Sequence, residues 1–237
     1  MRRIKKGPEP ACLKDLRETP GADWSSVSGA QRREMRKQAN DEQGGLCAYC
    51  MSLIPQSNKP LEPPDNTSMK IEHFEARNAS RAKMFDWSNL LGVCIGDVGI
   101  EGGGESDQQA RYHCDTYRGH LKVTEQGLDL NPAAFPPDIG ERFSYTVSGE
   151  ARTSQRFEPA ERDKVERMIA RLNLNLPRLR RNRAAVIGLL RRELQKKPTL
   201  ARVKELLQDA SAPGAKGLLR PYCQVAIHYL QKKLRQL

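Results

Sequence analysis

No stretch of this 237-residue chain approaches the ~18 consecutive apolar residues that a membrane-spanning helix requires. The opening MRRIKKGPEP is basic, but no apolar segment follows it, so neither an anchor nor a secretory leader is expected and the cytoplasm is the simplest location. The chain also lacks an internal repeat. Its glycine-rich run, GDVGIEGGGESDQQA at 96–110, is acidic and is not followed by GK[ST]; it reads as an inserted flexible surface loop, not a phosphate cradle. Without a leader the compartment is reducing, which argues against pairing the six cysteines as disulfides and favours clustered thiols as metal ligands.

What is present is positive charge, unevenly placed. Lys and Arg number 40 against 29 Asp and Glu, a net of +11 with a pI near 9.5, which suits a polyanionic partner such as nucleic acid. Residues 151–237 hold 21 Lys and Arg against 7 Asp and Glu, a net of +14, whereas residues 1–150 come to −3. The basic part has helical periodicity: Val165, Met168, Ile169 and Leu172 recur at i, i+3, i+4, i+7, and further apolar-basic segments cover 178–197, 199–210 and 218–236, punctuated by Pro177, Pro198 and SAPG at 211–214. Residues 1–150 carry the clustered cysteines and three of the four histidines. A helix is expected at 29–43, stopped by Gly44 and Gly45; MKIEHF and FSYTVSG read as short strands between long loops.

The thiols come as CAYC, Cys47 and Cys50, then Cys94 and Cys114, while Cys12 and Cys223 stand apart as ordinary thiols. Four such thiolates close a tetrahedral zinc site, with His113 as an alternative to Cys114. A redox pair is the weaker reading of CAYC, because such pairs open a helix in a βαβ setting that this sequence does not show, and unrelated thiols remain the bland one. Interleaved with the thiols are Glu72 and His73 in KIEHF, Asn89 in DWSNLLGVC, and Asp115 in YHCDTYRG. Taken alone, His73 is an ordinary surface or hydrogen-bonded histidine and Asn89 a cap or turn residue.

The order C-x-x-C, acid-His, N-L-L-x-x-C, C-[N/D]-x-x-[K/R]-G resembles the HNH endonucleases. That resemblance implies an α+β fold: a zinc-stabilised ββα-metal core in residues 1–150, with an N-terminal helical segment, and a basic helical region over 151–237. It implies His73 as the base that takes a proton from water attacking a phosphodiester, and Asn89 as the residue that aims it. It implies a catalytic Mg²⁺ or Mn²⁺ held by Glu72 and Asp115, and a structural Zn²⁺ held by Cys47, Cys50, Cys94 and Cys114. Two departures stand out. The fourth position after Asp115 is Gly119 where relatives carry a histidine, which leaves His120 a ligand only if the helix start shifts. The gap from Cys94 to Cys114 is also wide. Strand alternation sends Glu72 and His73 to opposite faces, so their convergence needs a twist at the strand end.

MRRIKKGPEPACL, GLCAYC, LDLNP at 128–132 and LNLN at 172–175 resemble more closely the HNH subunits of Septu-type anti-phage systems, some of which serve as retron-linked effectors. This implies an ABC-type ATPase partner and, where a retron is present, its reverse transcriptase and DNA/RNA product. Arg178, Arg180, Arg181 and Arg183 are the densest basic cluster and the expected contact for a phosphate backbone or for the ATPase, a solvated helix face being the bland reading. DNA is the default substrate, with tRNA or other RNA the alternative. A non-catalytic zinc-containing module, binding nucleic acid or docking the ATPase, competes with the enzyme, and the His73 and Asn89 pair discriminates them.

Overall fold

The computed structural model describes residues 1–54, 69–77, 81–96, 111–134, 138–196, 199–214 and 216–236. After α1 (Ala11–Glu18) and a short 3₁₀ turn (Trp24–Ser26) comes α2 (Gly29–Glu42), close to the expected span. Ser28 caps it reciprocally with Gln31: the Gln31 N–H donates to the serine hydroxyl at 3.2 Å and the Ser28 N–H to Gln31 Oε1 at 2.8 Å. Gly44 and Gly45 stop the helix in left-handed conformations, φ 60° and 77°. They also admit a close approach, since a Cβ at Gly44 would lie 2.7 Å from Leu219 Cγ and one at Gly45 2.6 Å from Leu218 Cδ2.

Strand β1 (Lys70–His73) pairs antiparallel with β2 (Leu90–Val93), in register Lys70 to Val93 and His73 to Leu90. Between them lie α3 (Arg81–Met84) and the 3₁₀ turn Trp87–Asn89; after them comes α4 (Cys114–Gly119). The four β2 residues are all buried, so this strand lacks the alternation that marks a half-exposed one. A further 3₁₀ turn, Val123–Glu125, leads to α5 (Ile139–Arg142) and a hairpin of β3 (Phe143–Tyr145) with β4 (Ala151–Thr153). The expected boundary between residues 150 and 151 falls inside this hairpin. The 96–110 loop, apart from Gly96, lies outside the described residues.

Four helices complete the chain: α6 (Pro159–Arg171), α7 (Pro177–Lys196), α8 (Leu200–Ser211) and α9 (Cys223–Leu234). Pro159 and Pro177 each open a helix, where a missing N–H costs nothing. Helix α9 starts later than the apolar pattern from 218 predicts, because Leu218 and Leu219 are spent against the two glycines and Tyr222 turns left-handed at φ 56°. One apolar cluster runs from Leu13, Met35 and Tyr49 through Leu90 and Leu91 to Met168, Leu172 and Val225, so the basic helices share a core with the thiol-bearing half. A smaller cluster, Leu194, Val203, Ala210, Ile227 and Leu230, joins α7, α8 and α9. Among the described residues no helix is long and apolar enough to cross a membrane. The architecture is α+β, mainly helical with two small sheets among the described residues.

Candidate active site

The knuckle between Leu46 and Leu53 is built by the backbone. Met51 N–H donates to the Cys47 carbonyl at 3.1 Å, Cys47 N–H to the Ser52 carbonyl at 2.9 Å, and Met51 takes φ 63°. Ala48 N–H donates to the Gly92 carbonyl at 3.0 Å, which ties the knuckle to β2 and so to Cys94 just beyond that strand. Cys114 begins α4 with φ 54° and its N–H on the Leu172 carbonyl at 2.8 Å. The result brings the sulfurs of Cys47, Cys50, Cys94 and Cys114 within 4.8 Å of one another, all buried, with Cys47 to Cys114 and Cys50 to Cys94 each at 3.8 Å. A tetrahedron with Zn–S bonds of about 2.3 Å has edges of about 3.8 Å. The four thiols therefore fit a zinc ion in type, number and spacing. Cys50 is held well below the ordinary thiol range by hydrogen bonds from Cys114, Cys47 and Cys94, whereas burial pushes Cys114 well above it. His113, 1% exposed, stands with Nε2 3.4 Å from Cys94 Sγ, beside the four sulfurs and not in place of one.

At the end of β1 the two key side chains go to different neighbours, as strand alternation requires. The His73 ring, 7% exposed, meets Trp24 edge to face at 4.4 Å, and its Nε2 lies 2.9 Å from the Met84 carbonyl. A carbonyl only accepts, so Nε2 carries the proton and Nδ1 keeps its lone pair. Burial pushes the imidazole down to about 4. Asn89, 2% exposed, receives the Glu75 N–H on Oδ1 at 2.8 Å and donates Nδ2 to the carbonyls of Glu75 at 3.1 Å and Lys83 at 2.9 Å. It binds the turn after His73 to the segment leading into Met84, one step away from the histidine itself.

Glu72 turns instead toward α4. Its carboxyl group shares a hydrogen bond with Asp115 and pairs with the Arg118 guanidinium. Lys70 Nζ lies 3.1 Å from Asp115 Oδ2 and 2.9 Å from Thr116 Oγ1. Burial, together with the Asp115 charge, pushes Glu72 well above the usual carboxyl range. Burial works against the Asp115 charge too, but the hydrogen bond from Glu72 and the cations Lys70 and Arg118 outweigh it and hold Asp115 low. Two carboxyl groups meeting here, Glu72 buried and Asp115 half-buried, are the oxygen donors a hard divalent cation takes, with water completing its shell. His120 stacks on Tyr112 at 5.1 Å, and the four cysteines are the one set of three or more potential ligands that converges among the described residues.

Three participants escaped the sequence reading. Arg118, 8% exposed, donates Nη2 to the His73 carbonyl at 3.0 Å and Nη1 to the Phe74 carbonyl at 3.2 Å. Its only signal was the basic position closing the C-[N/D]-x-x-[K/R]-G pattern. Tyr49, inside the knuckle and 1% exposed, has a hydroxyl with no hydrogen-bond partner, and its main charged neighbours are Glu72, Arg118 and Asp115. Trp24 had no local signal.

The basic cluster divides. Arg178 and Arg181 are exposed and Arg180 is half-buried, but Arg183 is 2% exposed. Its Nε donates to the Gly149 carbonyl at 2.6 Å, and its Nη2 to the Leu174 carbonyl at 2.7 Å and Asn175 Oδ1 at 3.1 Å. Arg183 therefore does not join a surface for phosphate or a partner. It falls on the buried stripe Leu179, Arg183, Ile187 of α7, where helical spacing faces it inward.

No protein-family profile matches the chain. The chain is 26% identical to an Escherichia coli protein named "Retron Ec83 putative HNH endonuclease", the match covering 79% of each chain.

Proposed function

We propose that the chain is a metal-dependent HNH endonuclease with a zinc-pinned ββα-metal core, acting as the effector of an anti-phage defence complex. The observation that carries this reading is the His73 imidazole, held neutral with Nε2–H on the Met84 carbonyl and the Nδ1 lone pair left for a proton, next in sequence to a buried carboxyl that meets a second one from α4. The similarity to a retron-named relative supports both the chemistry and the setting.

In this reading His73 Nδ1 takes a proton from water as the water oxygen bonds to phosphorus and the bond from phosphorus to the leaving oxygen breaks. Trp24 and Met84 fix the plane of the ring, and Asn89 holds the two segments that carry His73 and Met84 in register. Glu72 and Asp115 would hold Mg²⁺ or Mn²⁺, which supplies charge neutralisation at the phosphate and the leaving oxygen. Cys47, Cys50, Cys94 and Cys114 would hold Zn²⁺, joining the knuckle, the end of β2 and the start of α4. The resemblance to Septu-type subunits adds an ABC-type ATPase as partner, a reverse transcriptase with its DNA/RNA product where a retron is present, and cytoplasmic action.

The test is cleavage of plasmid DNA and of total tRNA by the purified chain with Mg²⁺ or Mn²⁺, alone and with the proposed ABC-type ATPase partner. Cleavage that disappears in His73→Ala bears the reading out. Tight binding of either nucleic acid with no strand scission in any combination assigns the chain to the binding modules instead.

A further inference from the structure

Arg118 is an expensive residue to bury. A guanidinium moved out of water loses several kcal/mol of solvation unless its donors are matched, and contact with one carboxylate oxygen leaves most of its five N–H donors to find other acceptors. Here the fork is used on the backbone. Nη2 takes the His73 carbonyl at 3.0 Å and Nη1 the Phe74 carbonyl at 3.2 Å, two successive carbonyls at the point where β1 ends. From the other side, the Phe74 N–H donates to the Asn89 carbonyl at 3.0 Å. The peptide unit joining His73 to Phe74 is thus gripped through its oxygen by Arg118 and through its nitrogen by Asn89, the last residue of the turn ahead of β2. Arg118 is itself aimed, pairing with Glu72 and standing 3.7 Å from Asp115.

We infer that Arg118 is a positioning residue for the proposed hydrolysis: it sets the backbone from which the His73 imidazole projects, so that Nδ1 and the Glu72–Asp115 pair keep a fixed separation. This rests on the nuclease reading and names a residue that reading does not need. The ring has its own tether at Met84, and Asn89 governs the turn beyond Phe74. Neither fixes the main chain at His73 on its α4 side. Arg118 spans that gap, linking the element that carries Asp115 to the residue that carries the base. Lysine in its place keeps the charge but reaches one carbonyl, and glutamine keeps donors but no charge.

The experiment compares wild type, Arg118→Lys and Arg118→Gln as full chains, with bis(p-nitrophenyl) phosphate and Mn²⁺ as the probe, and records the His73 side-chain ¹H–¹⁵N correlations, assigned by their loss in His73→Ala. Expected for both variants are wild-type zinc content, displaced His73 signals with His228 signals unmoved, kcat lower by roughly 10²-fold, and KM unchanged within about twofold. A raised KM at constant kcat makes Arg118 a substrate contact and overturns the inference. Wild-type kcat and unmoved His73 signals overturn it as well, and so does collapse of the fold in both variants, which assigns Arg118 to stability alone. A wild type that cleaves nothing while the variants displace the His73 signals sinks the nuclease reading and leaves the positioning role standing.

Discussion

The Met84 carbonyl stands 2.9 Å from His73 Nε2, so the turn of helix between the two strands decides which nitrogen of the histidine can accept a proton. His73→Ala removes both the proposed base and the donor that satisfies this carbonyl. Cleavage should fall by at least about 10²-fold. Stability should fall as well, by about 1–3 kcal/mol, because a buried acceptor loses its partner and Trp24 its edge contact. Thermal unfolding and strand scission measured on the same preparation check both. Wild-type cutting by a folded variant removes His73 from the chemistry.

Elemental analysis of the purified chain should find one zinc, and Cys47→Ser or Cys50→Ser should give insoluble or protease-sensitive protein, since a structural zinc's binding energy is folding energy. Cys12→Ser and Cys223→Ser, which alter buried thiols outside the converging set, should keep the metal. A folded protein without metal would refute the tetrahedral assignment.

The Tyr49 hydroxyl is buried without a hydrogen-bond partner, and such a group costs free energy that its removal returns. Tyr49→Phe should therefore unfold at the same temperature as wild type or higher. A lower melting temperature would mean that the hydroxyl is bonded in solution, with water or the nearby Glu72–Arg118 pair as the partner.

Arg183 and its neighbours should separate in a denaturation series. Arg183→Met leaves the Gly149 and Leu174 carbonyls without their donor and should cost about 1–3 kcal/mol. The double change Arg178→Gln, Arg181→Gln lies on the exposed side and should leave the melting temperature unchanged. If these two meet phosphate, each should lower the slope of affinity against salt by roughly one counterion. If they face the ATPase, nucleic-acid titrations stay put and co-purification falls.

The four thiols were legible because metal ligands need only the right atoms in the right number, and a C-x-x-C pair announces a knuckle whatever the rest of the fold does. Helix α2 was legible for a similar reason, its cap and its two glycines being adjacent to it in sequence. Arg183 was misread because a basic residue on a helix is exposed by default, and only the register of Leu179 and Ile187 says otherwise. Arg118 and Trp24 act through backbone carbonyls and a ring edge supplied by distant segments, so nothing beside them in the sequence states their task. The Glu72 and His73 side chains do not converge on one point: alternation sends them to different neighbours, and Arg118, paired with the Glu72 carboxyl and bonded to the His73 carbonyl, connects the two sides.

Leu219 N–H donates to the Gly44 carbonyl at 2.8 Å and Tyr222 N–H to the Met51 carbonyl at 3.0 Å, closing the two ends of the segment that carries Cys47 and Cys50. The order of synthesis gives this clasp a meaning. A nascent chain exposes its four thiols and His73 long before residues 218–222 leave the ribosome, and until then the knuckle lacks the strap that shuts it. A chain ended before residue 218 would carry every residue of the proposed chemistry and still lack the two hydrogen bonds that close the knuckle, so the frame is finished after the residues it holds.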